Sequence, residues 1–300
     1  MDLLMSPVQK MLKDYETAKR DPRTKDWLLI GNSPYSVWLI TVLYVAFVYL
    51  GPVFMKNRKP LQVQGLLVAY NMGLVVLSAY MVIEILLSSY AANYGLLCAE
   101  YDVETVDVND PRELRVAKVL WWYFFSKAIE LMDTVLMVLR KKNDQVTFLH
   151  WFHHISMLNI WWWVMVFAPG GLSSHGSSLN CLVHVVMYLY YGLSAIPSVR
   201  KHLWWKKYIT KFQLIQFCIT LSHTLNSFRN QCHYPAWGKY LLTGYMVLML
   251  ILFMNFYVHA YFFKKRIHIK TDHHSNGATN GHAKGGDGHI KNGYISLKAD

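Results

Sequence analysis

His150, His153 and His154 form an HxxHH cluster inside an otherwise apolar stretch. On a helix these positions fall at roughly 0°, 300° and 40°, one arc of about 100°, so three imidazoles share a face. Three independently satisfied histidines are the least economical reading of that spacing. Metal binding, or acid/base and nucleophilic chemistry, remains. Lys127, Glu130 and Asp133, spaced by three on the preceding apolar stretch, share one face within roughly 120°. A structural ion-pair network explains Glu130 as readily as a functional role does, whereas Lys127 and Asp133 are placed to serve a site beside the histidines. Two further stripes follow: Asn180, His184, Tyr188 and Tyr191, then Gln213, Gln216, Thr220 and His223. Singly, such residues are usually interhelical hydrogen bonds. Together they describe a polar seam through a helical bundle.

The elements that must hold this seam follow from composition. The 300 residues are 54% hydrophobic and 16% charged, a balance that excludes an ordinary soluble enzyme. Seven apolar segments run over 33–55, 63–89, 117–139, 146–168, 177–197, 208–228 and 237–263. Each has the roughly 20 residues a helix needs to cross a bilayer. The expected fold is therefore an all-α integral membrane protein with seven transmembrane helices over 33–265, preceded by an N-terminal segment, 1–32.

Basic residues cluster in alternate connections: Lys56, Arg58 and Lys59; Arg140, Lys141 and Lys142; Arg200, Lys201, Lys206 and Lys207; Lys264, Lys265 and Arg266. The opposite connections hold Arg112, Arg115 and Arg229, so the first set is expected in the cytosol with the C-terminus, and the N-terminal segment in the lumen. No cleavable signal is expected in that polar segment. The net charge of +12 is spread in short clusters and forms no continuous basic face, so nucleic acid is not an expected partner. Cys98 and Cys232 fall in two lumenal loops, where an oxidising compartment favours a disulfide; Cys181 and Cys218 lie within apolar segments. Residues 266–300, rich in Gly, Asn, His and Lys, read as a disordered cytosolic tail.

The motifs His150-Trp-Phe-His153-His154, Lys127-x-x-Glu130-Leu-x-Asp133-Thr134, Asn180-x-x-x-His184-x-x-Met187-Tyr188-x-Tyr190-Tyr191 and Thr210-x-x-Gln213-x-x-Gln216 resemble those of the fatty-acid elongase (ELO) family, in the family's order. The similarity covers roughly 30–265 and looks nearest to very-long-chain and polyunsaturated members, especially the elongase 4 type. Trp151 stands where many polyunsaturated-type members place Val, while Gln145 is of their type. The resemblance implies a condensing enzyme joining acyl-CoA to malonyl-CoA, with release of carbon dioxide and CoA. It also implies six helices forming a barrel around a closed acyl tunnel, residence in the endoplasmic reticulum membrane, and other enzymes of the elongation cycle as partners. A homo-oligomer is compatible with it. By motif position His153 is the nucleophile of a ping-pong path through an acyl-imidazole, with His184 across the tunnel. Lys127, Gln145, His150, Tyr190, Thr210 and Gln213 carry over as CoA-facing residues.

The residues themselves are compatible with that chemistry. A neutral imidazole can attack a thioester, His150 and His154 can orient it or move protons, and Asn180, His184 and Asp133 complete the catalytic set. Decarboxylation supplies the carbanion, so neither a redox cofactor nor a metal is expected. From Val146, His153 lies roughly 10 Å down the helix axis, and about 22 Å of helix remains beyond it. Arg140, Lys142, Lys206 and Arg266 offer charge to the phosphates of CoA. A membrane di-iron desaturase or hydroxylase also uses HxxHH, but with several such boxes where this chain has one. A seven-helix transporter or receptor is the non-enzyme alternative.

Overall fold

The computed structural model describes residues 19–31 and 33–263, with side chains as far as residue 260. Residues 1–18, the expected disordered tail over 266–300 and its Arg266 lie outside the described residues. Among the described residues every regular element is a helix. Helices α1 (Tyr35–Met55) and α2 (Gln64–Ala91) match the first two apolar segments closely.

The third segment, expected over 117–139, is instead α3 (Pro111–Glu130) and α4 (Met132–Leu139), interrupted at Leu131. It begins early because the Asp110 side chain accepts the Arg112 backbone N–H at 2.8 Å, and Pro111 occupies the first turn, where a missing N–H costs nothing. Leu131 keeps right-handed helical backbone angles, so Lys127, Glu130 and Asp133 stay on the single face expected of them. After a short 3₁₀ turn, Asn143–Gln145, α5 (Phe148–Phe167) is capped by Thr147, whose hydroxyl accepts the His150 N–H at 3.3 Å.

The chain then turns at Gly171, with φ +54°, where an added Cβ would sit 2.6 Å from the Tyr101 Cβ; only glycine fits there. Helix α6 (Leu172–Ser194) starts five residues before the expected 177. Its first turns hold Ser173, Ser174 and Ser177, which suggest a loop by composition. Each hydroxyl, however, donates to a carbonyl three or four residues back, so the polar groups are satisfied within the helix. A single turn, α7 (Pro197–Arg200), leads to α8 (Lys206–Arg229) and α9 (Ala236–Tyr257), which continues as a π-helix to Phe263.

Helices α1 and α2 and the stretch Ala236–Ala260 are each long and apolar enough to cross a membrane. Leu39, Val42 and Leu43 on α1, Val76 and Ile83 on α2 and Ile251 on α9 are exposed, as lipid-facing side chains would be. The protein is thus a multi-pass, all-α membrane protein. The packing runs in a cycle: α2 on α3, α3 on α5, α5 on α9, α9 on α8, α8 on α6 and α6 back on α2, with α1 outside against α4 and α5.

One end of the bundle is knotted together. Cys98 and Cys232 are disulfide-bonded across 134 residues, with Cα atoms 5.5 Å apart. The Tyr101 N–H donates to the His233 carbonyl at 2.8 Å, tying the same two connections again. The segment 19–31 packs at this end too: Thr24 donates to the Met165 carbonyl at 2.7 Å, and Asp21 N–H to that of Val166 at 2.8 Å. Arg23 pairs with Asp21 at 2.7 Å, both side chains buried, and donates to the Tyr101 hydroxyl at 2.9 Å. Burial is the largest single influence and opposes the Arg23 charge, but the hydrogen bonds and charges of Asp21 and Tyr101 together outweigh it and raise the guanidinium pKa.

Candidate active site

The Thr147 cap starts α5 so that His150, His153 and His154 occupy its first two turns. Their rings are neighbours, with centroids 4.5 Å apart for His150 and His154 and 5.6 Å for His153 and His154. They nevertheless have different surroundings. The His150 Nε2 lies 2.9 Å from the Thr134 hydroxyl, which is itself 2.6 Å from the Tyr44 hydroxyl. His154 is buried between the other two. His153 is the member of the trio that lines a narrow cavity. The three imidazoles thus gather on one face as their spacing predicts, and His153 is the one that meets the cavity.

Helix α3 brings the second set. Lys127, 1% exposed, donates to Glu130 Oε1 at 2.8 Å and to the Asn180 side-chain oxygen at 3.2 Å. The Tyr123 hydroxyl donates to the same Asn180 oxygen at 2.6 Å. On the other side of Glu130, His184 Nδ1 lies 3.3 Å from Oε1, and Ser126 donates to it at 3.2 Å. Beyond the Leu131 break, Asp133 accepts the Tyr188 hydroxyl at 2.9 Å. Glu130 is thus the hub joining α3 to α6, a stronger part than the sequence alone assigned it. Tyr123 was missed altogether. It sits four residues before Lys127, one turn away on the same face, and that spacing was the available signal.

The cavity runs from His153 past Tyr123, Asn180, Gln216 and Thr220 to Ser173, Tyr234 and Trp237 near the disulfide end. Its apolar walls include Met157, Trp161, Phe217, Leu241 and Met246. Of the eight seam residues, Asn180, Gln216 and Thr220 line it, and two of the others point elsewhere. Tyr191 is 40% exposed, and His223 stacks on His175 at 4.3 Å with its Nε2 2.9 Å from the Leu96 carbonyl.

At the opposite end, Arg140, Lys142 and Gln145 occupy the α4–α5 connection and Lys206 begins α8. Burial, and then the neighbouring Arg200, push the Arg140 guanidinium below its ordinary pKa, the mark of crowded positive charge. Tyr190 and Thr210 are buried, with the Tyr190 ring 5.5 Å from that of Trp205. Gln213 donates to the Met187 sulfur at 3.7 Å. Among the described residues, no three His, Cys, Asp or Glu side chains are grouped to hold a metal ion.

An imidazole on the wall of a narrow apolar cavity, in a bundle that gathers cations in the α4–α5 connection and at the start of α8, is an arrangement suited to a long apolar chain with an anionic head. The model of the ELO (GNS1/SUR4) family matches residues 29–269. The chain belongs to the ELO family. Among similar members of that family, the very long chain fatty acid elongase 2 of Rattus norvegicus is 45% identical over 242 residues, 81% of this chain and 85% of that protein. The very long chain fatty acid elongase 5 of Homo sapiens is 44% identical over 269 residues, 88% of each chain. The Xenopus tropicalis elongase 5 is 43% identical over 272 residues, 90% of each. The sequence motifs pointed to the elongase 4 type; these three ELO relatives carry the names of types 2 and 5.

Proposed function

We infer that this protein is a fatty-acid elongase, a 3-oxoacyl-CoA synthase that condenses a long-chain acyl-CoA with malonyl-CoA. The observation that carries the reading is His153 on the wall of an apolar cavity that Asn180 also lines. In the proposed path the His153 imidazole nitrogen attacks the thioester carbonyl, the carbon–sulfur bond breaks, and CoA leaves as the thiol with the imidazole proton. Malonyl-CoA then loses carbon dioxide to leave an enolate. The enolate carbon attacks the acyl-imidazole, a carbon–carbon bond forms, the carbon–nitrogen bond breaks, and His153 leaves and takes up a proton from water as the 3-oxoacyl-CoA departs.

Asn180 suits the enolate because its oxygen already accepts from Tyr123 and Lys127, which leaves the NH₂ as the end able to donate to developing charge. Lys127 is a positioning residue in this scheme, and Glu130 anchors it. His184, held on Glu130, faces the same step from α6; His150 and His154 set the tautomer of His153. Tyr188 orients Asp133 within the same polar layer. The carbanion comes from decarboxylation, so no redox cofactor is invoked.

The cyclic packing of six helices supports reading them as a barrel around an acyl tunnel, with seven membrane crossings in all. The cations Arg140, Lys142 and Lys206 suit the phosphates of CoA at the tunnel mouth, together with Gln145, Tyr190, Thr210 and Gln213. That mouth faces the cytosol, with the C-terminus, from the endoplasmic reticulum membrane. The reduction and dehydration steps that follow belong to other enzymes. Purified protein given labelled malonyl-CoA and a panel of acyl-CoAs should release carbon dioxide and yield products two carbons longer. Absence of both would overturn the reading.

A further inference from the structure

Thr220 is 3% exposed and lines the cavity, yet its hydroxyl finds no hydrogen-bond partner among the described residues. This departs from how the bundle treats such groups. On the same helix Thr224 donates to the Thr220 carbonyl at 2.8 Å and Ser227 to that of Thr224 at 2.6 Å. Thr41 on α1 and Ser126 on α3 do likewise within their own helices. Bonding a carbonyl one turn back is the cheap solution for a helical hydroxyl in an apolar setting. Thr220 does not take it. Thr220 lines a cavity walled by Met157, Trp161, Phe217 and Met246, and an unsatisfied donor buried in that apolar setting costs free energy.

A hydrocarbon chain offers such a donor one kind of acceptor, the π face of a carbon–carbon double bond. We propose that the Thr220 hydroxyl is a specificity-determining group that favours acyl chains carrying a cis double bond at one depth in the cavity. His153 lies fourteen residues before the end of α5 and Thr220 nine before the end of α8, both counted to the disulfide end. The hydroxyl therefore sits roughly 7 Å deeper than the nucleophile, a handful of carbon–carbon bonds from the thioester carbon. Gln216, one turn earlier on α8 and also buried, lines the stretch between them.

The inference rests on the condensing-enzyme reading and deepens it. It is tested with acyl-CoAs of one length, saturated or carrying a single cis double bond moved stepwise along the chain, each assayed for two-carbon extension. Wild-type protein should show a maximum in kcat/KM at one double-bond position in the half nearer the thioester. Thr220→Val, which keeps the shape and removes the hydroxyl, should lower the ratio of that isomer to the saturated chain by about twofold to fivefold. Thr220→Ser should restore it. If the ratio at every position is the same in Thr220→Val and wild type, the hydroxyl does not read the chain, as when it merely holds a water, and the proposal is wrong. If wild type extends no acyl-CoA at all, the condensing reading itself fails and this inference goes with it.

Discussion

Two buried ion pairs stand at opposite ends of the bundle. Lys127–Glu130, at 2.8 Å, and Arg23–Asp21, at 2.7 Å, are both almost wholly removed from solvent and both extended by tyrosine hydroxyls. By burial and charge alone they are equivalent, and each costs desolvation that only good hydrogen bonding offsets. Their neighbours distinguish them. The first network reaches Asn180 and Tyr123, which line the cavity, and His184 on the facing helix. The second reaches Tyr101 and the carbonyls that end α5, beside a disulfide, and fastens the N-terminal segment to the bundle. A buried charge in a membrane protein is thus a functional candidate by default, and adjacency to an open volume decides whether it serves chemistry or closure.

That contrast can be broken. His153→Ala should abolish condensation, a loss of at least about 10³-fold in kcat, while the protein still inserts and melts near the wild-type temperature. Appreciable turnover in this variant would remove the nucleophile assignment, and mass spectrometry of the wild type with acyl-CoA alone should find one acyl group on the α5 histidines.

A paired substitution sharpens the comparison. Glu130→Ala and Arg23→Ala each strand a buried partner and should each destabilise by about 3–5 kcal/mol. Only Glu130→Ala should also cut kcat per folded molecule, by at least tenfold, because Lys127 and His184 lose their anchor. Equal kcat losses in the two variants, after correction for folded fraction, would show that the ends are not functionally distinct.

The smallest expected effect is that of Cys98→Ser, which opens a loop of 134 residues and should cost about 2–4 kcal/mol, read as a lower melting temperature. Since the disulfide belongs to the closing end, substrate affinity at the His150 end should change less than twofold. A larger rise in KM there would link the two ends after all.

Much of this was legible in the chain. Seven apolar runs located the helices to within a few residues, except where a cap or hydrogen-bonded serines extended one. The Asp110–Pro111 signal was present but lay outside the apolar run that set the boundary, and Ser173 and Ser174 likewise preceded the run expected over 177–197, because composition does not say where a hydroxyl donates. The HxxHH spacing put three imidazoles on one face, since helical periodicity is a local property that residue types and intervals carry in full.

What periodicity could not supply was the difference among the three, or between the two ion pairs. Whether a side chain meets a cavity, a carbonyl or another helix depends on residues far away in sequence: His184 for Glu130, Thr134 for His150, Tyr101 for Arg23. Those partners are chosen by which helices pack together. The amino-acid order alone thus determined an all-helical membrane chain with a histidine face and a polar seam. The tertiary structure decided that His153 meets the cavity, that Glu130 is a hub, and that Thr220 keeps a hydroxyl unspent, because each of these is a property of the space between helices.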